Sequence, residues 1–275
     1  MHYSSILPDV IRLADEASEK VLHIYESDFK VRYKEDNSPI TAADEAAHEI
    51  IYKGLRNISR DIPILSEEGT EVPWEERKSW RRFWLIDPID GTKDFTQRSG
   101  EFTVNIAMIE DGEPVLGVVV APASGLLYYA RTGEGTWKRE GAGEPQRLQS
   151  ILSDPSEPLR IVESRSHPSP ALETFLSQLT IAERVRSGSS LKFCLVADGR
   201  ADVYPRLGPT MEWDVAAGDC VYRNSGYPEP HPGTLRYNKP SLKNGNFVVG
   251  LKPGTYELPD DERSQKSEGR SQKGT

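Results

Sequence analysis

The sequence predicts a mixed α/β protein with α+β layers and two subdomains. Three features lead to this prediction: two amphipathic segments near the start, a run of short strands joined by glycine turns, and alternating helices and strands after residue 158. Apolar residues at helical spacing indicate the helices, and apolar runs or alternations indicate the strands. We therefore expect one subdomain at residues 1–150, a second at 151–252 and a disordered tail at 253–275.

The first subdomain begins with helices and continues in strands. Apolar residues recur at helical spacing over 5–26 and 42–57, and Thr41 is a suitable N-cap for the second helix. The segments Asp111-Gly112 and Gly133-Glu134-Gly135 are typical of hairpin turns. Strands are expected at 29–33, 62–66, 82–86, 102–110, 113–121, 126–131 and 136–139.

The second subdomain follows a segment, 140–158, that is rich in Gly, Pro, Ser and charged residues. Alternation of the later elements is typical of an α/β unit. Helices are expected at 169–179, 189–198 and 214–225, and strands near 159–163, 183–187, 201–206, 235–238 and 246–250. From Pro253 the chain loses apolar periodicity and is dense in polar residues and glycine, which favours disorder.

The composition of the chain argues against several classes of protein. The chain has 275 residues and a net charge of −9, which disfavours nucleic-acid binding through a basic surface. It lacks an apolar stretch of about 18 residues and a basic N-terminal segment, so we expect neither a membrane span nor a signal peptide. A disulfide between Cys194 and Cys220 is possible, but two buried thiols in a reduced compartment are the simpler interpretation. We expect a cytoplasmic monomer, and peripheral association at the inner face of the cell membrane stays open.

Carboxylates gather where a predicted strand ends. The apolar run 83–86 leads into Asp87 and Asp90, and Glu67 follows the end of an earlier strand. A turn there would direct both aspartates and the Ile89 carbonyl toward one point. Several carboxylates at a rigid strand end form a hard-oxygen site suited to Mg²⁺. The alternative is an ordinary acidic turn, since Asp, Gly and Pro are common turn residues.

A second carboxylate segment completes the expected site. Asp214 opens a predicted helix, and its alternative role is a simple N-cap. Two ions can be assigned, one to Glu67, Asp87 and the Ile89 carbonyl, the other to Asp87, Asp90 and Asp214. An acidic protein that binds a phosphate must reverse its local field, and bound cations do this. The pattern therefore suggests metal-dependent hydrolysis of a phosphate ester, with most of the metal ligands in the N-terminal subdomain.

The turn after the carboxylates can hold an anion and a water molecule. Gly91 and Thr92 offer backbone N–H groups and a hydroxyl. Thr92 can hold the attacking water if a carboxylate accepts its proton, and Asp44 is the best candidate, with Glu68 able to act similarly. For Asp44 the alternative is a favourable negative charge at a helix N-terminus.

Three motifs in this order and spacing resemble the inositol monophosphatase superfamily, which is Mg²⁺-dependent and lithium-sensitive. They are Leu65-Ser66-Glu67-Glu68, Asp87-Pro88-Ile89-Asp90-Gly91-Thr92 and Trp213-Asp214-Val215-Ala216-Ala217-Gly218. Within it the chain resembles the bacterial 3′(2′),5′-bisphosphate nucleotidases. That finer resemblance rests on Thr92-Lys93-Asp94-Phe95 and Gly188-Ser189-Ser190-Leu191-Lys192-Phe193-Cys194.

The resemblance implies a sugar-phosphatase fold of layered αβαβα type. It implies two or three Mg²⁺ ions and hydrolysis of adenosine 3′,5′-bisphosphate to AMP and phosphate, in sulfur metabolism. It also implies that Ser189, Lys192 and Arg206 hold the nucleotide and its second phosphate, with His167 at the pocket rim. For Arg206 the alternative is a surface charge. The substrate-binding residues are then expected to be Glu67, Ile89, Asp90, Gly91, Thr92, Ser189, Lys192, Arg206 and Asp214.

Two other functions stay open at this point. An inositol or sugar monophosphatase would use the same metal chemistry, but Lys192 and Arg206 favour a substrate with a second phosphate. A non-enzymatic regulator that binds metal or nucleotide would be expected to lack a metal carboxylate. All of the expected ones are present, namely Glu67, Asp87, Asp90 and Asp214.

Overall fold

The structure is a computed structural model that describes residues 3–34, 39–165 and 170–259. His167, expected at the pocket rim, lies outside the described residues, and so does the part of the expected tail at 260–275. Across the described helices, none combines the length and apolar character needed to cross a bilayer.

Helices and strands follow closely the order predicted from the sequence. Among the described residues the helices are α1 (Tyr3–Tyr25), α2 (Ala42–Ile58), α3 (Trp74–Arg77), α4 (Thr92–Thr96), α5 (Pro170–Leu176), α6 (Leu191–Ala197) and α7 (Glu212–Ser225). The strands are β1 (Val31–Tyr33), β2 (Pro39–Thr41), β3 (Ile64–Ser66), β4 (Arg82–Asp90), β5 (Thr103–Glu110), β6 (Glu113–Ala121), β7 (Leu126–Arg131), β8 (Gly135–Glu140), β9 (Gln146–Leu148), β10 (Leu159–Ser164), β11 (Ile181–Ser187), β12 (Tyr204–Arg206), β13 (Thr210–Met211), β14 (Lys243–Asn244) and β15 (Phe247–Val249).

A seven-stranded sheet forms the centre of the N-terminal half, in the order β3-β4-β5-β6-β7-β8-β9. β3 pairs parallel with β4, and every other neighbouring pair is antiparallel. The parallel pair matters for function because both of its strands end at the same edge of the sheet. Glu67 follows β3 and Asp87 lies near the end of β4, so this edge collects carboxylates.

Helices cover both faces of this sheet. α1 and α2 pack on one face, where buried residues such as Val10 and Ile51 meet Trp84 and Ile106. α7 packs on the other face together with α6. The helix and sheet approach closely at Gly117, because a Cβ atom added there would lie 2.6 Å from the Ala217 carbonyl.

A second, smaller sheet layer lies in the C-terminal half. β10 pairs parallel with β11, β12 pairs antiparallel with β15, and a bridge from Ile161 to Val203 links the two pairs. α5 covers this layer through Phe175 and Leu176. The layers therefore alternate as αβαβα, and the fold class implied by the motif resemblance is confirmed.

One sequence prediction differs from the structure in this half. The strand expected near 235–238 does not form, because Leu235 and Tyr237 are buried through side-chain contacts while their backbone makes isolated hydrogen bonds.

The expected tail begins differently from the prediction. Tyr256 packs edge-on against Phe175 with ring centroids 5.9 Å apart, and the Asn246 side chain donates to the Pro259 carbonyl at 3.2 Å. These contacts hold residues 253–259 against the second sheet layer. Residues 253–259 were expected to be disordered because their sequence has no apolar periodicity. A single aromatic residue that packs against the fold, such as Tyr256, produces no periodic pattern in the sequence.

Both cysteines are free and buried, in agreement with the interpretation as two thiols. Cys194 lies in α6 and Cys220 in α7, and both belong to the core between the two sheet layers.

Candidate active site

The site is built at the end of β4. β4 continues past the predicted strand to Asp90, with an irregularity in its pairing to β5 between Asp87 and Asp90. The Glu67 backbone N–H donates to the Ile86 carbonyl at 3.2 Å, which fixes the end of β3 beside these aspartates. Asp214 is the third residue of α7, and its Oδ2 accepts the Met211 backbone N–H at 2.8 Å.

These elements bring carboxylates from distant parts of the chain together. Carboxylate oxygens of Glu67, Asp87 and Asp214 all lie within 4.8 Å of one another. Asp90 lies outside this group, but it lines a neighbouring cavity together with Asp214, and its charge raises the pKa of both Asp87 and Asp214. The Ile89 side chain is buried, and its carbonyl oxygen lies 3.2 Å from the Thr92 hydroxyl oxygen.

The electrostatics of the cluster are those of a cation site. Burial, reinforced by neighbouring carboxylates, raises the pKa of Asp87 and Asp214 well above the ordinary range and also raises the pKa of Glu67. Both carboxylate oxygens of Asp87 are buried, and neither has a hydrogen-bond partner among the described residues. Buried carboxylates without partners are costly unless a cation compensates them. An all-oxygen donor set fits Mg²⁺.

Thr92 and Asp44 meet beside this cluster. Gly91 adopts φ of +90°, a left-handed conformation that favours glycine, and Thr92 then begins α4. The Thr92 Oγ1 lies 3.1 Å from Asp44 Oδ1 and 3.2 Å from the Ile89 carbonyl oxygen. Asp44 Oδ2 accepts the Thr41 backbone N–H at 2.8 Å and the Thr41 hydroxyl at 2.7 Å. One Asp44 oxygen therefore caps α2 while the other faces Thr92, and the water-activating role of Asp44 stays a prediction.

Glu68 lies next to the cluster and is held by a residue to which the sequence analysis gave no role. The Lys34 ammonium lies 2.6 Å from Glu68 Oε1 and 3.4 Å from Glu67 Oε1. Lys34 lies 33 residues before Glu67 in the chain, so no local pattern connects it with the acidic pair. Its cationic charge partly offsets the acidic field at the site.

A cavity of about 240 Å³ opens beside Asp90 and Asp214. Gly91 and all three residues expected to hold the nucleotide line it, namely Ser189, Lys192 and Arg206. The cavity thus continues from the carboxylates into a cationic region, a suitable environment for an anion with two charged groups.

The two cations of the cavity are held differently. The Lys192 side chain is buried, its ammonium donates to the Ser189 carbonyl at 2.6 Å, and it lies 5.4 Å from the Tyr204 ring centroid. Burial lowers the pKa of Lys192 to about 8, opposed by the Asp90 charge. The Arg206 guanidinium donates to the Pro209 carbonyl at 3.0 Å, whereas its buried Nε has no hydrogen-bond partner among the described residues. Arg206 is therefore a cavity residue rather than a free surface charge.

Sequence reasoning also gave no role to two polar residues of β5, which contact Ser189 in the cavity wall and its neighbour Ser190. The Thr103 hydroxyl lies 2.6 Å from the Ser189 hydroxyl, and the Asn105 amide donates to Ser190 Oγ at 3.1 Å. Both stand in a strand whose other residues from Val104 to Ile109 are apolar, and that interruption of the apolar pattern was the available signal.

Comparisons with known proteins show which family the chain is similar to. The model of the inositol monophosphatase family matches residues 3–256. The 3′(2′),5′-bisphosphate nucleotidase CysQ of Salmonella typhimurium is 49% identical over 218 residues, covering 78% of this chain and 86% of that protein. The protein of the same name from Escherichia coli K12 is 48% identical over 223 residues, with 80% and 88% covered. The crystal structure of CysQ from Bacteroides thetaiotaomicron is 40% identical with a TM-score of 0.77, covering 91% of this chain and 98% of that one.

Proposed function

The chain belongs to the inositol monophosphatase family, as its motifs predicted, and we propose that it is a Mg²⁺-dependent 3′(2′),5′-bisphosphate nucleotidase. Its reaction is removal of the 3′-phosphate of adenosine 3′,5′-bisphosphate, which gives AMP and phosphate. The observation that carries this proposal is one cavity whose wall joins Asp90 and Asp214 to Lys192 and Arg206. The relatives named as nucleotidases, at up to 49% identity, support it.

The metal ligands in this proposal are Glu67, Asp87, Asp90, Asp214 and the Ile89 carbonyl, for two or three ions. Bound Mg²⁺ supplies Lewis-acid stabilisation of phosphate oxygens and shields their charge from the carboxylates. The Asp87 oxygens support this assignment, because they are buried and have no hydrogen-bond partner among the described residues. A bound cation would compensate their charge.

Thr92 and Asp44 are proposed to handle the attacking water. The Thr92 hydroxyl can accept a hydrogen bond from that water while it donates its own proton to Asp44 Oδ1, 3.1 Å away. Asp44 is held in place by both donors of Thr41, so its second oxygen stays directed at Thr92. Glu68, fixed by Lys34, is proposed to act similarly on water at the other side of the cluster.

The remainder of the substrate is proposed to lie along the cationic wall. The scissile phosphate meets the metal ligands and the Gly91-Thr92 turn, and the second phosphate meets Ser189, Lys192 and Arg206. This arrangement separates the group that reacts from the group that is recognised.

The cellular setting follows from the substrate. Adenosine 3′,5′-bisphosphate is the nucleotide left when activated sulfate is used, so we infer a role in sulfur metabolism. We further infer a cytoplasmic monomer that acts on this small molecule and does not bind nucleic acid, in keeping with its net charge of −9.

Lys192 and Arg206 are expected to set the preference for a bisphosphate over inositol 1-phosphate. Loss of one charged contact costs about 1.5–3 kcal/mol, which is roughly a 10- to 150-fold fall in kcat/KM. We expect Lys192→Ala and Arg206→Ala each to lower kcat/KM for adenosine 3′,5′-bisphosphate by about this factor. Any slow hydrolysis of inositol 1-phosphate should change little, so the measured quantity is the ratio of the two kcat/KM values.

Arg160→Ala is the matched control for these two variants. Arg160 is also in the C-terminal half, but it is paired with Asp202 at 2.6 Å and lies outside the cavity wall. It should leave the ratio unchanged. If both substrates lose equally in Lys192→Ala and Arg206→Ala, these side chains support the fold or the metals, and the account of substrate choice is wrong.

Lithium should block turnover if the metal positions act as in the family. We expect Li⁺ to lower the steady-state rate of phosphate release at concentrations at which Na⁺ has no effect, because a small cation can occupy a Mg²⁺ position. Rates that respond equally to the two salts would argue against the proposed metal assignment.

A further inference from the structure

Thr103 and Asn105 are buried polar residues that the reaction described above does not use. They stand in β5, where the other residues from Val104 to Ile109 are apolar and buried. The exposed fraction is 0% for Thr103 and 1% for Asn105. Burying a hydroxyl or an amide is costly unless it forms hydrogen bonds, so their contacts indicate what they are for.

Thr103 reaches a turn that borders the site. In the pairing of β4 with β5 it stands opposite Asp90, and its hydroxyl lies 2.6 Å from that of Ser189. Ser189 has φ of +51°, an unfavourable conformation for a residue with a side chain. Its carbonyl accepts the Lys192 ammonium at 2.6 Å, and its hydroxyl helps to lower the pKa of Asp90 against the effect of burial.

Asn105 reaches the next residue of the same turn. It stands opposite Asp87, and its amide nitrogen donates to Ser190 Oγ at 3.1 Å. Ser190 Oγ donates its only proton to the Asp214 carbonyl at 2.6 Å, which requires the Asn105 amide to be the donor. The chain of hydrogen bonds therefore runs from the centre of β5 to the backbone of a proposed metal ligand.

The turn formed by residues 188–190 is also confined by its neighbours. A Cβ atom added to Gly188 would lie 2.5 Å from the Glu101 carbonyl oxygen, so the backbone is in close contact there. Residues 188–190 are thus held by packing on one side and by β5 on the other. Ser189 and Ser190 in turn contact Lys192 and Asp214, and Ser189 lines the same cavity as Asp90.

We propose that Thr103 and Asn105 are positioning residues that fix the 188–190 turn, and through it the separation between the metal-binding aspartates and Lys192. Neither residue lines the cavity, and neither belongs to the carboxylate cluster. The proposal rests on the proposed function in so far as Lys192 binds the second phosphate. Its consequence is that metal affinity and substrate affinity weaken together when the β5 hydroxyl is removed.

Thr103→Val tests the proposal, because it keeps the shape of the side chain and removes the hydroxyl. We expect the Mg²⁺ concentration that gives half of the metal-induced rise in melting temperature to increase about tenfold. We also expect KM for adenosine 3′,5′-bisphosphate to rise about tenfold, with a smaller change in kcat. Thr103→Ser, which restores the hydroxyl, should return both values to within about twofold of wild type, and Asn105→Leu should weaken the Mg²⁺ response through Asp214.

Thr136→Val is the matched control. Thr136 is likewise fully buried in the main sheet, and its hydroxyl donates to the Val221 carbonyl at 2.6 Å, in a region remote from the cavity wall. It should lower the melting temperature of the metal-free protein while leaving the Mg²⁺ response and KM unchanged. If Thr103→Val behaves like Thr136→Val, the role of Thr103 is merely structural and the proposal is overturned.

If Thr103→Val does not fold, Thr103→Cys replaces it with the same expected result, since a thiol is a weak hydrogen-bond donor.

One outcome separates this proposal from the proposed function. If the wild-type chain releases no phosphate from adenosine 3′,5′-bisphosphate, the proposed function fails. The Mg²⁺-induced melting shift then still decides whether β5 positions the metal site.

Discussion

Replacement of Asp87 by asparagine is expected to abolish nearly all hydrolysis and to raise the melting temperature of the metal-free protein. The loss of activity follows because one ligand charge leaves the centre of the carboxylate cluster, and we expect kcat to fall by more than about 100-fold. The gain in stability follows because both Asp87 oxygens are buried without partners. A neutral side chain of the same shape removes the cost of that buried charge.

The raised pKa of Asp87 predicts how the stability of the metal-free protein changes with pH. An aspartate in the unfolded chain has a pKa of about 3.9, whereas burial raises the pKa of Asp87 well above that value in the folded protein. Between the two values the unfolded state loses its proton first, so the metal-free wild type becomes less stable as the pH rises through this window. Asp214 is shifted in the same direction. In Asp87→Asn the decline should be smaller, and added Mg²⁺ should raise the melting temperature less than in wild type.

Asp219→Asn is the control that separates a metal ligand from an ordinary buried aspartate. Asp219 is also buried, but it accepts from the Tyr237 hydroxyl at 2.8 Å and from Arg223 Nε at 3.0 Å. Its replacement should lower the melting temperature and leave the Mg²⁺ response and kcat near wild type, since it removes one of the two carboxylates that pair with the buried Arg223. Retention by Asp87→Asn of more than about a tenth of wild-type kcat at saturating Mg²⁺ would contradict the assignment of Asp87.

The second large effect is expected at Thr92 and Asp44. Thr92→Val and Asp44→Asn should each lower kcat by about 10²- to 10⁴-fold, the range typical of a lost proton-transfer group. Because the two residues act on one water molecule, the double variant should be little worse than either single variant. The Mg²⁺-induced rise in melting temperature should persist in Thr92→Val, since its hydroxyl is not a proposed ligand.

Thr96→Val serves as the control for the threonine. Thr96 lies in the same short helix, α4. Its hydroxyl donates to the Lys93 carbonyl at 2.9 Å and not to Asp44. The Thr96→Val variant should keep the kcat of the wild type. Asp44→Asn also weakens the cap of α2, so kcat is compared well below the melting temperature of each variant. Fully additive losses would mean that Asp44 serves only as a helix cap.

Local patterns predicted most of the fold because their causes are local. The bounds of β6 and β7 agree with the apolar runs, and Thr41 caps α2 as its residue type suggested. The strand expected near 235–238 was wrong because Leu235 and Tyr237 are buried for reasons that depend on tertiary packing. An apolar run by itself does not distinguish a paired strand from a buried loop.

The site was predictable where its residues share a motif or a strand end. Glu67, Asp87 and Asp214 come together as the sequence indicated, and sequence reasoning also identified the pair of Asp44 and Thr92. The interrupted apolar pattern of β5 marks Thr103 and Asn105 as unusual, but their partners depend on strand register and could not be predicted. Thr103 has no sequence relation to Ser189, and only the pairing of β5 beside the 188–190 turn creates their contact.

Product analysis with and without Mg²⁺ tests the central claim most directly. The wild-type chain is incubated with adenosine 3′,5′-bisphosphate in Mg²⁺ or in EDTA, and the nucleotide products are separated and identified. The account predicts 5′-AMP and one phosphate per nucleotide in Mg²⁺, and no turnover in EDTA. Release of 3′-AMP, turnover that persists in EDTA, or an absence of turnover in Mg²⁺ would contradict it.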